Sequence, residues 1–307
     1  MLDRRGTSAS IRPCPLCASK EITTRAAFPY AVEFDDQRFS YFRCASCGSV
    51  FIDPLPNEQT FARMYAKNQY HDCHYSGCAS SHYDSAAHLL AQFAPSGSTV
   101  LDYGCGVGHF LRSVQSAGFL CLGVEFDAAA ASTASQNAGC EVLPVSEFAR
   151  WNETQKFDVL HLGDVLEHLP DPAGTLTHLL SYLKAGGLLF AEGPLEVNPS
   201  PVYWAARTFG MMKRRLRPSF TGRGTPTHLF RAGAQQQLRF FQRITPQLER
   251  LHWAIHETGW PYADGGLIKR GIARVAILIG GKGFGGTIFG NRFIAIFRVV
   301  ADCVGNS

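Results

Sequence analysis

Two pairs of cysteines near the start of the chain have the spacing of metal ligands. Cys14 and Cys17 form one Cys-x-x-Cys motif, and Cys44 and Cys47 form a second. A two-residue spacer lets two thiolates converge on one tetrahedral ion, so the two motifs supply all four ligands of a structural zinc site. Reduced cysteines without a metal, or a redox pair, are the alternatives, but no β-α-β pattern surrounds Cys14 as a thioredoxin-like motif requires. We therefore predict a structural Zn²⁺ held by these four cysteines.

A second group of residues lies in the segment VLDYGCGVGHF, residues 100–110. Gly104, Gly106 and Gly108 let the backbone approach a ligand without a Cβ in the way, and the helix that follows begins with unpaired N–H groups. Glu125 closes the next strand, at a position where a carboxylate can accept both hydroxyls of a ribose. These residues predict a ligand that resembles adenosine; a glycine turn without a ligand is the alternative.

The identity of that ligand follows from the acidic residue in front of the glycines. The spacing Gly-x-Gly-x-Gly departs from the Gly-x-Gly-x-x-Gly of dinucleotide sites, and Asp102 stands two residues before Gly104. A carboxylate in the loop repels a pyrophosphate and attracts the ammonium group of a methionine moiety. The sequence therefore favours S-adenosyl-L-methionine over a nicotinamide dinucleotide as the cofactor.

Three side chains could act on a proton if the acceptor has to lose one. His168 and Glu167 follow the fourth predicted strand, and His228 follows the fifth, so all three lie near the edge of the sheet where ligands bind. For His168 the alternative is a role in bracing the loop, and for His228 it is a structural role. His161 lies inside the fourth strand, which suits a core or supporting residue.

Elements that could position these residues alternate along the chain from Ser98 onward. Short apolar segments at TVLDYG, LCLGVEF, CEVLPV, FDVLHLG and LLFAEGP predict strands, and helical segments lie between them, including DPAGTLTHLLSYLKAGG at 171–187. LERLHWAI predicts a sixth strand and GNRFIAIFRVV a last one. This alternation is typical of a parallel sheet covered by helices.

These segments together resemble the class I S-adenosylmethionine-dependent methyltransferases. The resemblance rests on VLDYGCGVGHFL, GVEFD, FDVLHLGDVLEHLPDP and LKAGGLLFAEGP. It extends to CPLC and YFRCASCGSVFIDPLPNEQTFARMYAKNQYH, which resemble the zinc-binding N-terminal module of one branch that includes sugar C-methyltransferases. THLFRAGAQQQLRFF resembles the segment that this branch carries after the fifth strand.

The resemblance implies an α/β, Rossmann-like fold with a seven-stranded sheet, whose last strand is antiparallel, and a small N-terminal zinc ribbon. It implies a zinc-binding module at 1–56, a helical linker or lid at 57–96, and a methyltransferase domain at 97–307 with an insert at about 196–232. Tyr65 and Tyr70 in the linker could cover the cofactor, although aromatic residues at helical spacing more often pack.

The resemblance also implies a set of cofactor-binding residues. Asp102 and the glycine loop would hold the methionine end, Glu125 the ribose, and Phe126 would lie against the adenine. Ser146 stands after the third strand, where family members often carry an acid that faces the adenine amino group. Asp164 faces the methionine end or the substrate. The full predicted set is Asp102, Gly104, Cys105, Gly106, Gly108, Glu125, Phe126, Ser146 and Asp164.

The function implied by the resemblance is methyl transfer to a small molecule: a sugar, a nucleotide-sugar or a glycan precursor, at carbon or oxygen. One alternative is an RNA methyltransferase that uses the zinc module to bind RNA, and another is a cofactor-binding protein that has lost the chemistry. The zinc module carries both basic and acidic residues, which disfavours a role in RNA binding.

Composition and charge limit the compartment and the partners. Hydrophobic residues make up 46% of the 307 residues, charged residues 18%, and the net charge is +4, too small to indicate nucleic-acid binding by bulk electrostatics. No stretch approaches the roughly 18 uninterrupted apolar residues of a spanning helix, and Met1 to Ile11 lacks the apolar core of a signal peptide. We therefore expect a cytoplasmic protein.

A basic cluster in the predicted insert leaves three interpretations open. Lys213, Arg214, Arg215 and Arg217 lie within five positions. They could form a solvated face, an anion site for the phosphates of a nucleotide-sugar, or, with the neighbouring apolar side chains, a contact with a membrane surface.

Overall fold

The computed structural model describes residues 11–26, 29–66, 81–151 and 156–300. The chain divides into two compact units. One, here called the ribbon unit, comprises Met1–Pro56, Leu195–Arg243 and His256–Asn291; the other, the sheet unit, comprises Asn57–Pro194, Ile244–Ile255 and Arg292–Ser307. The domain boundaries expected from the sequence stay predictions. Tyr70 lies outside the described residues.

The strands and helices are numbered in chain order. The strands are β1 (Ile22–Arg25), β2 (Val32–Phe34), β3 (Gln37–Cys44), β4 (Val50–Asp53), β5 (Thr99–Tyr103), β6 (Leu120–Glu125), β7 (Val142–Pro144), β8 (Phe157–Gly163), β9 (Leu183–Pro194), β10 (Gly222–Arg223), β11 (Phe230–Arg231), β12 (Leu248–His256), β13 (Gly283–Phe284), β14 (Thr287–Ile288) and β15 (Arg292–Val299). The helices are α1 (Glu58–Tyr65), α2 (Ser81–Leu90), α3 (His109–Ser116), α4 (Ala128–Ala138), α5 (Val145–Phe148), α6 (Pro172–Leu180), α7 (Pro201–Leu216), α8 (Ala234–Ile244) and α9 (Leu267–Ile279). A short 3₁₀ helix spans Leu166–His168.

The sheet unit is built on a seven-stranded sheet in the order β12-β15-β9-β8-β5-β6-β7. The five strands from β9 to β7 in this order are parallel to their neighbours, whereas β15 is antiparallel to β9. The fold class predicted from the sequence, a mostly parallel α/β sheet with an antiparallel last strand, is confirmed. Because β5 and β8 are neighbours, the loops that follow them emerge side by side at the carboxyl edge.

Apolar residues on both faces of the central strands explain why this sheet forms. Val100, Leu101, Val159 and Leu160 are fully buried, and each contributes about 1.5–3 kcal/mol through burial. Helix α3 buries Phe110, Leu111 and Val114. A strand that is buried on both faces has a continuous apolar run, which is the pattern that the sequence carries.

Capping residues set the starts of several helices. Asn57 caps α1 by accepting a hydrogen bond from the N–H of Thr60 at 2.8 Å, as its position in the sequence predicts. Asp127 caps α4 by accepting from Ala130, and Asp171 caps α6, whose first residue is a proline.

Two stretches of secondary structure differ from the sequence-based expectation. The helix predicted at 171–187 is wrong in its second half: α6 ends at Leu180, and β9 begins at Leu183, which pairs with Phe157. The long extension of β9 satisfies backbone groups by pairing, and Gly186, at φ +75°, suits no regular helix. Residues 266–287 are apolar and glycine-rich, and no element was assigned to them from the sequence; Leu267–Ile279 forms the helix α9.

The ribbon unit contains a sheet in the order β10-β2-β3-β4-β11, with β1 also paired to β3. β2 and β3 form an antiparallel hairpin whose turn holds Asp35 and Asp36 at positive φ. This hairpin occupies the chain between the two cysteine motifs. Among the described residues, no helix is both long enough and apolar enough to cross a bilayer.

Candidate active site

The glycine loop links β5 to α3 at the carboxyl edge of the sheet. Gly104, Gly106 and Gly108 all have positive φ, at +82°, +58° and +86°. A Cβ on Gly104 would lie 2.4 Å from Cγ2 of Val165, and one on Gly108 would lie 2.8 Å from the carbonyl oxygen of Ala134. The loop therefore requires glycine both for its conformation and for its close approach to neighbouring segments.

A cavity of about 270 Å³ opens beside this loop. Its walls come from α1, the glycine loop, the end of β6 and the segments after β7 and β8. The lining includes Tyr65, Gly104, Gly106, Glu125, Phe126, Val145 and His168. A concave, mostly apolar site with a few polar groups is typical of a small-molecule site.

Glu125 holds the loop in place from the end of β6. One carboxylate oxygen accepts a hydrogen bond from the N–H of Gly106 at 2.8 Å, and the other accepts from the N–H of Phe126 at 2.7 Å. The side chain is buried and contributes to the cavity wall. Because an ionised carboxylate has about four acceptor positions, it can bind hydroxyl groups in addition to these two amides.

Aromatic rings form one wall of the cavity. Phe126 is 44% exposed, and its ring lies 5.2 Å from that of Phe61 and 6.3 Å from that of Tyr65, all as centroid distances. The hydroxyl of Tyr65 is hydrogen-bonded to Nδ1 of His168 at 3.0 Å. Helix α1 thus contributes two rings to the cavity wall, and the lid role of Tyr65 stays a prediction.

A smaller cavity of about 50 Å³ lies on the other side of the glycine loop, with Asp102 in its wall. Oδ1 of Asp102 is 2.7 Å from Nδ1 of His161, and Nε2 of His161 is 3.6 Å from Oε1 of Glu192. Oδ2 of Asp102 is buried and has no hydrogen-bond partner among the described residues. A buried carboxylate oxygen without a hydrogen-bond donor has lost its hydration, and a bound cation would offset the free energy of that loss.

The charges around His161 stabilise its imidazolium. Burial lowers the pKa of His161, but the carboxylates of Asp102 and Glu192 outweigh burial and raise it to about 9. Burial raises the pKa of Glu192, but the contacts with His161 and His82 lower it by more. The net effect is a lowered pKa, so Glu192 is a carboxylate. The ring of Phe110 stacks on that of His161 at 3.7 Å, which fixes its plane.

Asp164 contributes to the walls of both cavities. Nη2 of Arg292 donates to both of its carboxylate oxygens, at 2.8 and 2.7 Å. Burial lowers the pKa of Arg292, but the charge of Asp164 raises it, so the guanidinium stays charged. This ion pair fixes a carboxylate at the edge of the sheet.

The three predicted base candidates lie in different surroundings. His168 and Glu167 are buried in the 3₁₀ helix, and Nε2 of His168 is 3.9 Å from Oε1 of Glu167. His228 belongs to the ribbon unit, where its Nδ1 is 2.7 Å from Oε2 of Glu196. The other oxygen of Glu196 is 2.7 Å from Nη1 of Arg231. A carboxylate on Nδ1 fixes the orientation of an imidazole and makes Nε2 its basic nitrogen.

The structure brings together the sulfur atoms of the four predicted metal ligands. Cys14, Cys17, Cys44 and Cys47 place their Sγ atoms within 4.8 Å of one another, and two of the separations are 3.7 and 3.5 Å. Zn–S bonds of about 2.3 Å in a tetrahedron give S–S edges of roughly 3.8 Å. The hydrogen bond between Cys14 and Cys47 lowers the pKa of Cys14 to about 4 and raises that of Cys47, because the pair shares one proton. The four thiols therefore fit one Zn²⁺.

Comparison with known proteins decides the family. Residues 79–259 match a family described as a methyltransferase domain. The chain belongs to this family. The resemblance to class I S-adenosylmethionine-dependent methyltransferases that the sequence motifs predicted is thereby confirmed.

The chain is similar to curated proteins over part of its length. The ubiquinone biosynthesis O-methyltransferase of Glaesserella parasuis is 33% identical over 104 residues, which are 31% of this chain and 44% of that protein. The enzyme of the same name from Pasteurella multocida is 30% identical over 129 residues, 37% of this chain and 52% of that protein. The chain thus spans about half the length of these curated relatives.

A solved structure supports the fold over a longer stretch. A chain of the complex between the Haloferax volcanii Trm112 methyltransferase activator and a methyltransferase superposes with a TM-score of 0.51 and 16% identity. The match covers 80% of this chain and 100% of that chain. At this identity the similarity concerns the fold alone.

Most of the predicted cofactor residues lie in the walls of the two cavities, and two, Gly108 and Ser146, do not. Cys105 lies in the smaller cavity, where burial raises its pKa well above the usual value. Ser146 is exposed, and the preceding Val145 lies in the cavity wall instead. Gly108 faces α4 and permits the packing of α3 against it.

Sequence reasoning missed three charged residues that contact predicted site residues. Glu192 could have been found from the sequence, because an acid inside the apolar run of a buried strand is unusual. Arg292 and Glu196 could not have been found in this way, because each meets its partner only after the chain has folded: Arg292 lies 128 positions after Asp164, and Glu196 lies 32 positions before His228.

Proposed function

We propose that this protein transfers the methyl group of S-adenosylmethionine to a small-molecule acceptor. The observation that carries the proposal is the buried Oδ2 of Asp102, an acceptor without a described hydrogen-bond partner beside a glycine loop and a cavity that contains Glu125. A pocket with a buried carboxylate at one end and a second carboxylate beside aromatic rings fits an ammonium group and a ribose.

The residues of the sheet unit divide the work of holding the cofactor. Asp102 would bind the ammonium group, Glu125 the ribose hydroxyls, and Phe126 the adenine ring. S-adenosylmethionine, when bound, supplies a methyl group that is already activated on a sulfonium. Because this leaving group is neutral, the main task of the protein is to position the acceptor, and orientation contributes several kcal/mol in well-aligned systems.

A base is needed when the acceptor is a hydroxyl group that loses its proton during transfer. His168 is in the wall of the larger cavity and has Tyr65 on its Nδ1. His228 has Glu196 on its Nδ1. We propose these two histidines as the candidates, with Glu167 as the acid beside His168. His168→Gln and His228→Gln, each compared for turnover and for cofactor affinity, identify the base as the one whose loss reduces turnover alone.

The acceptor class rests on the sequence. The zinc module and the segment THLFRAGAQQQLRFF resemble a branch that includes sugar C-methyltransferases, so we propose a sugar, a nucleotide-sugar or a glycan precursor. The names of the relatives favour oxygen as the methylated atom. The four cysteines would hold a structural Zn²⁺, which completes the folding of the ribbon unit rather than the chemistry.

The experiment that tests the proposal is methyl transfer from labelled S-adenosylmethionine into a cell extract that is then divided into small-molecule, lipid, protein and RNA fractions. Label in the small-molecule or lipid-linked sugar fraction supports the proposal. Label in RNA replaces it with an RNA methyltransferase. Cofactor binding without label in any fraction indicates a protein that binds the cofactor without turning it over.

A further inference from the structure

Large apolar side chains are exposed on three elements of the ribbon unit, the helices α7 and α9 and the β13–β14 hairpin. Leu267, Ile268 and Phe284 are 81%, 80% and 79% exposed. Other exposed apolar side chains on α7, on α9 and next to them are Trp204, Phe209, Met211, Met212, Leu216, Trp260, Val275, Ile277, Leu278 and Ile288. Scattered exposed apolar residues are normal, but a contiguous set marks a surface that contacts something else.

These elements pack on one another and so form one surface. Val202 of α7 is buried with Ala273 and Ala276 of α9 in a common small core. The ring of Trp204 packs edge-on against that of Phe289, which follows the β13–β14 hairpin, at 5.8 Å. We call the exposed side chains of α7, α9 and this hairpin the α7–α9 surface.

Each helix presents a continuous stripe on the face away from that small core. On α7, Trp204, Met211 and Arg215 recur at intervals of seven and four, which places them on one side of a helix. On α9, the exposed Leu267, Arg274 and Leu278 recur at the same intervals of seven and four, again on one side. Both stripes mix apolar and basic residues.

The charge of the α7–α9 surface has a single sign. Arg207, Arg215, Arg270, Arg274 and Lys282 are exposed, and none forms an ion pair with a carboxylate in the described part of the chain. The segments 201–216 and 267–288 contain no Asp or Glu at all. The occupant of this surface therefore has to be negatively charged and has to accept apolar side chains.

We propose that the α7–α9 surface binds the face of a bilayer that contains anionic phospholipids. Helices that expose Trp, Phe, Leu and Met together with Lys and Arg lie in the interface, where the apolar groups enter the acyl boundary and the cations meet the phosphates. A second copy of the chain fits less well, because a symmetric contact would bring the cations of both surfaces together. This inference does not depend on the proposed function.

The test uses the full-length protein and sedimentation with two kinds of vesicle, phosphatidylcholine alone and phosphatidylcholine with phosphatidylglycerol. We expect binding to the anionic vesicles at least about tenfold tighter than to the neutral ones, and weaker binding at high salt. Equal binding to both vesicles, or binding to neither, overturns the proposal.

Matched variants separate the surface from general effects. Leu267→Gln should weaken binding to anionic vesicles about tenfold, and Arg270→Gln with Arg274→Gln should weaken it about fivefold for each cation removed. The controls are Leu120→Gln and Arg112→Gln, which alter exposed residues of the sheet unit. Unchanged binding in the surface variants, or equal losses in the controls, contradicts the proposal.

The same variants also test whether a second copy of the chain, rather than a bilayer, binds to the α7–α9 surface. All of these side chains are exposed, so thermal unfolding should stay unchanged and folded protein should be available for each measurement. If the protein self-associates without vesicles and Leu267→Gln abolishes the association, the surface is an interface between copies, and the bilayer proposal fails.

Discussion

Asp102 is bound on one side by His161 and has its other carboxylate oxygen without a described partner. The pair fixes the direction of the carboxylate before any ligand arrives, which reduces the reorganisation needed on binding. His161 is in turn held between two carboxylates, Asp102 and Glu192. The protonation of a histidine outside the contact with the ligand therefore controls the residue proposed to bind the ammonium group.

The stability of the protein should fall as the pH rises through the pKa of His161. Its folded pKa of about 9 exceeds the ordinary value of 6.5, so its contribution is fully present below pH 6.5 and is lost as the pH rises through 9. The shift corresponds to about 3 kcal/mol. Denaturant unfolding at several pH values measures this change in the free energy of unfolding.

The control for this prediction is a second histidine. His161→Gln should flatten the decrease in stability between pH 6.5 and 9, whereas His88→Gln, at an exposed position of α2, should retain it. A wild-type protein whose unfolding free energy does not change over this range would show that His161 is neutral in the folded state.

Glu125→Ala should weaken binding of S-adenosylmethionine by about 1–3 kcal/mol, the cost of losing hydrogen bonds to a charged group. The variant also releases the N–H of Gly106, so the loop loses an anchor. Calorimetric titration measures the affinity. Glu141→Ala, at an exposed position before β7, is the control, and equal affinities in the wild type and Glu125→Ala would place the ribose elsewhere.

At the scale of the element, the β5–α3 turn should tolerate no side chain at Gly104. Gly104→Ala adds a Cβ that would meet Cγ2 of Val165 at 2.4 Å, in a backbone conformation with φ +82°. Gly97 has φ +85° but nothing within 4 Å of its Cβ position. Both alanine variants carry a conformational cost of about 1–2 kcal/mol, and only Gly104→Ala adds the clash.

Chemical denaturation of the two glycine variants separates the cost of the backbone conformation, which both share, from the cost of the clash with Val165. We expect a larger loss of unfolding free energy, and a loss of cofactor affinity, for Gly104→Ala alone. Equal losses in stability in the two variants would mean that the segment after β8 moves away from the turn without cost.

The cysteine cluster should bind about one zinc ion per chain, since four thiolates complete a tetrahedral site. Cys17→Ser, or a strong chelator, should remove the metal and lower the midpoint of thermal unfolding, because metal binding contributes to folding. Elemental analysis with thermal unfolding measures both. Cys121→Ser, outside the cluster, should retain the metal; a metal-free wild-type protein with an unchanged midpoint contradicts the zinc site.

Helices and strands were predictable where a local sequence pattern determines them. They were missed where hydrogen bonding to a distant strand determines the conformation. The strands β5 and β6 carry apolar runs, and their positions followed from the sequence. Leu183 was expected in a helix but pairs with Phe157 of β8, and α9 lies in a stretch whose many glycines after Ile279 obscured the helical pattern before it. The partners of Asp164 and His228 could not be predicted, because no local pattern marks Arg292 or Glu196.

At the scale of the whole molecule, the ribbon unit is assembled from three separate stretches of chain. β4 pairs with β11, the amide of Gln236 donates to the carbonyl of Cys47, and Arg243 donates to the carbonyl of Leu16. Removal of residues 1–56 should therefore leave 195–243 without its sheet partner. We expect this truncated protein to expose apolar surface and to aggregate.

Size-exclusion chromatography and dye binding measure that outcome against the full-length protein. A control deletion of 1–10 removes residues before the first cysteine and should leave both measurements unchanged. A monomeric, cofactor-binding protein without residues 1–56 would instead support an independent methyltransferase domain with the boundary predicted from the sequence.

The pairing of β4 with β11 also has a consequence for the order in which the protein is made. Phe51 pairs with Phe230, which the ribosome adds about 180 residues later, roughly 10 to 40 s at ordinary rates of synthesis. Cys14 to Cys47 emerge early and are close in sequence, so a metal can organise them without waiting. The nascent chain thus carries an open strand edge at β4 throughout that interval, and a metal bound early by the four cysteines would shorten the time during which the segments next to β4 are unstructured.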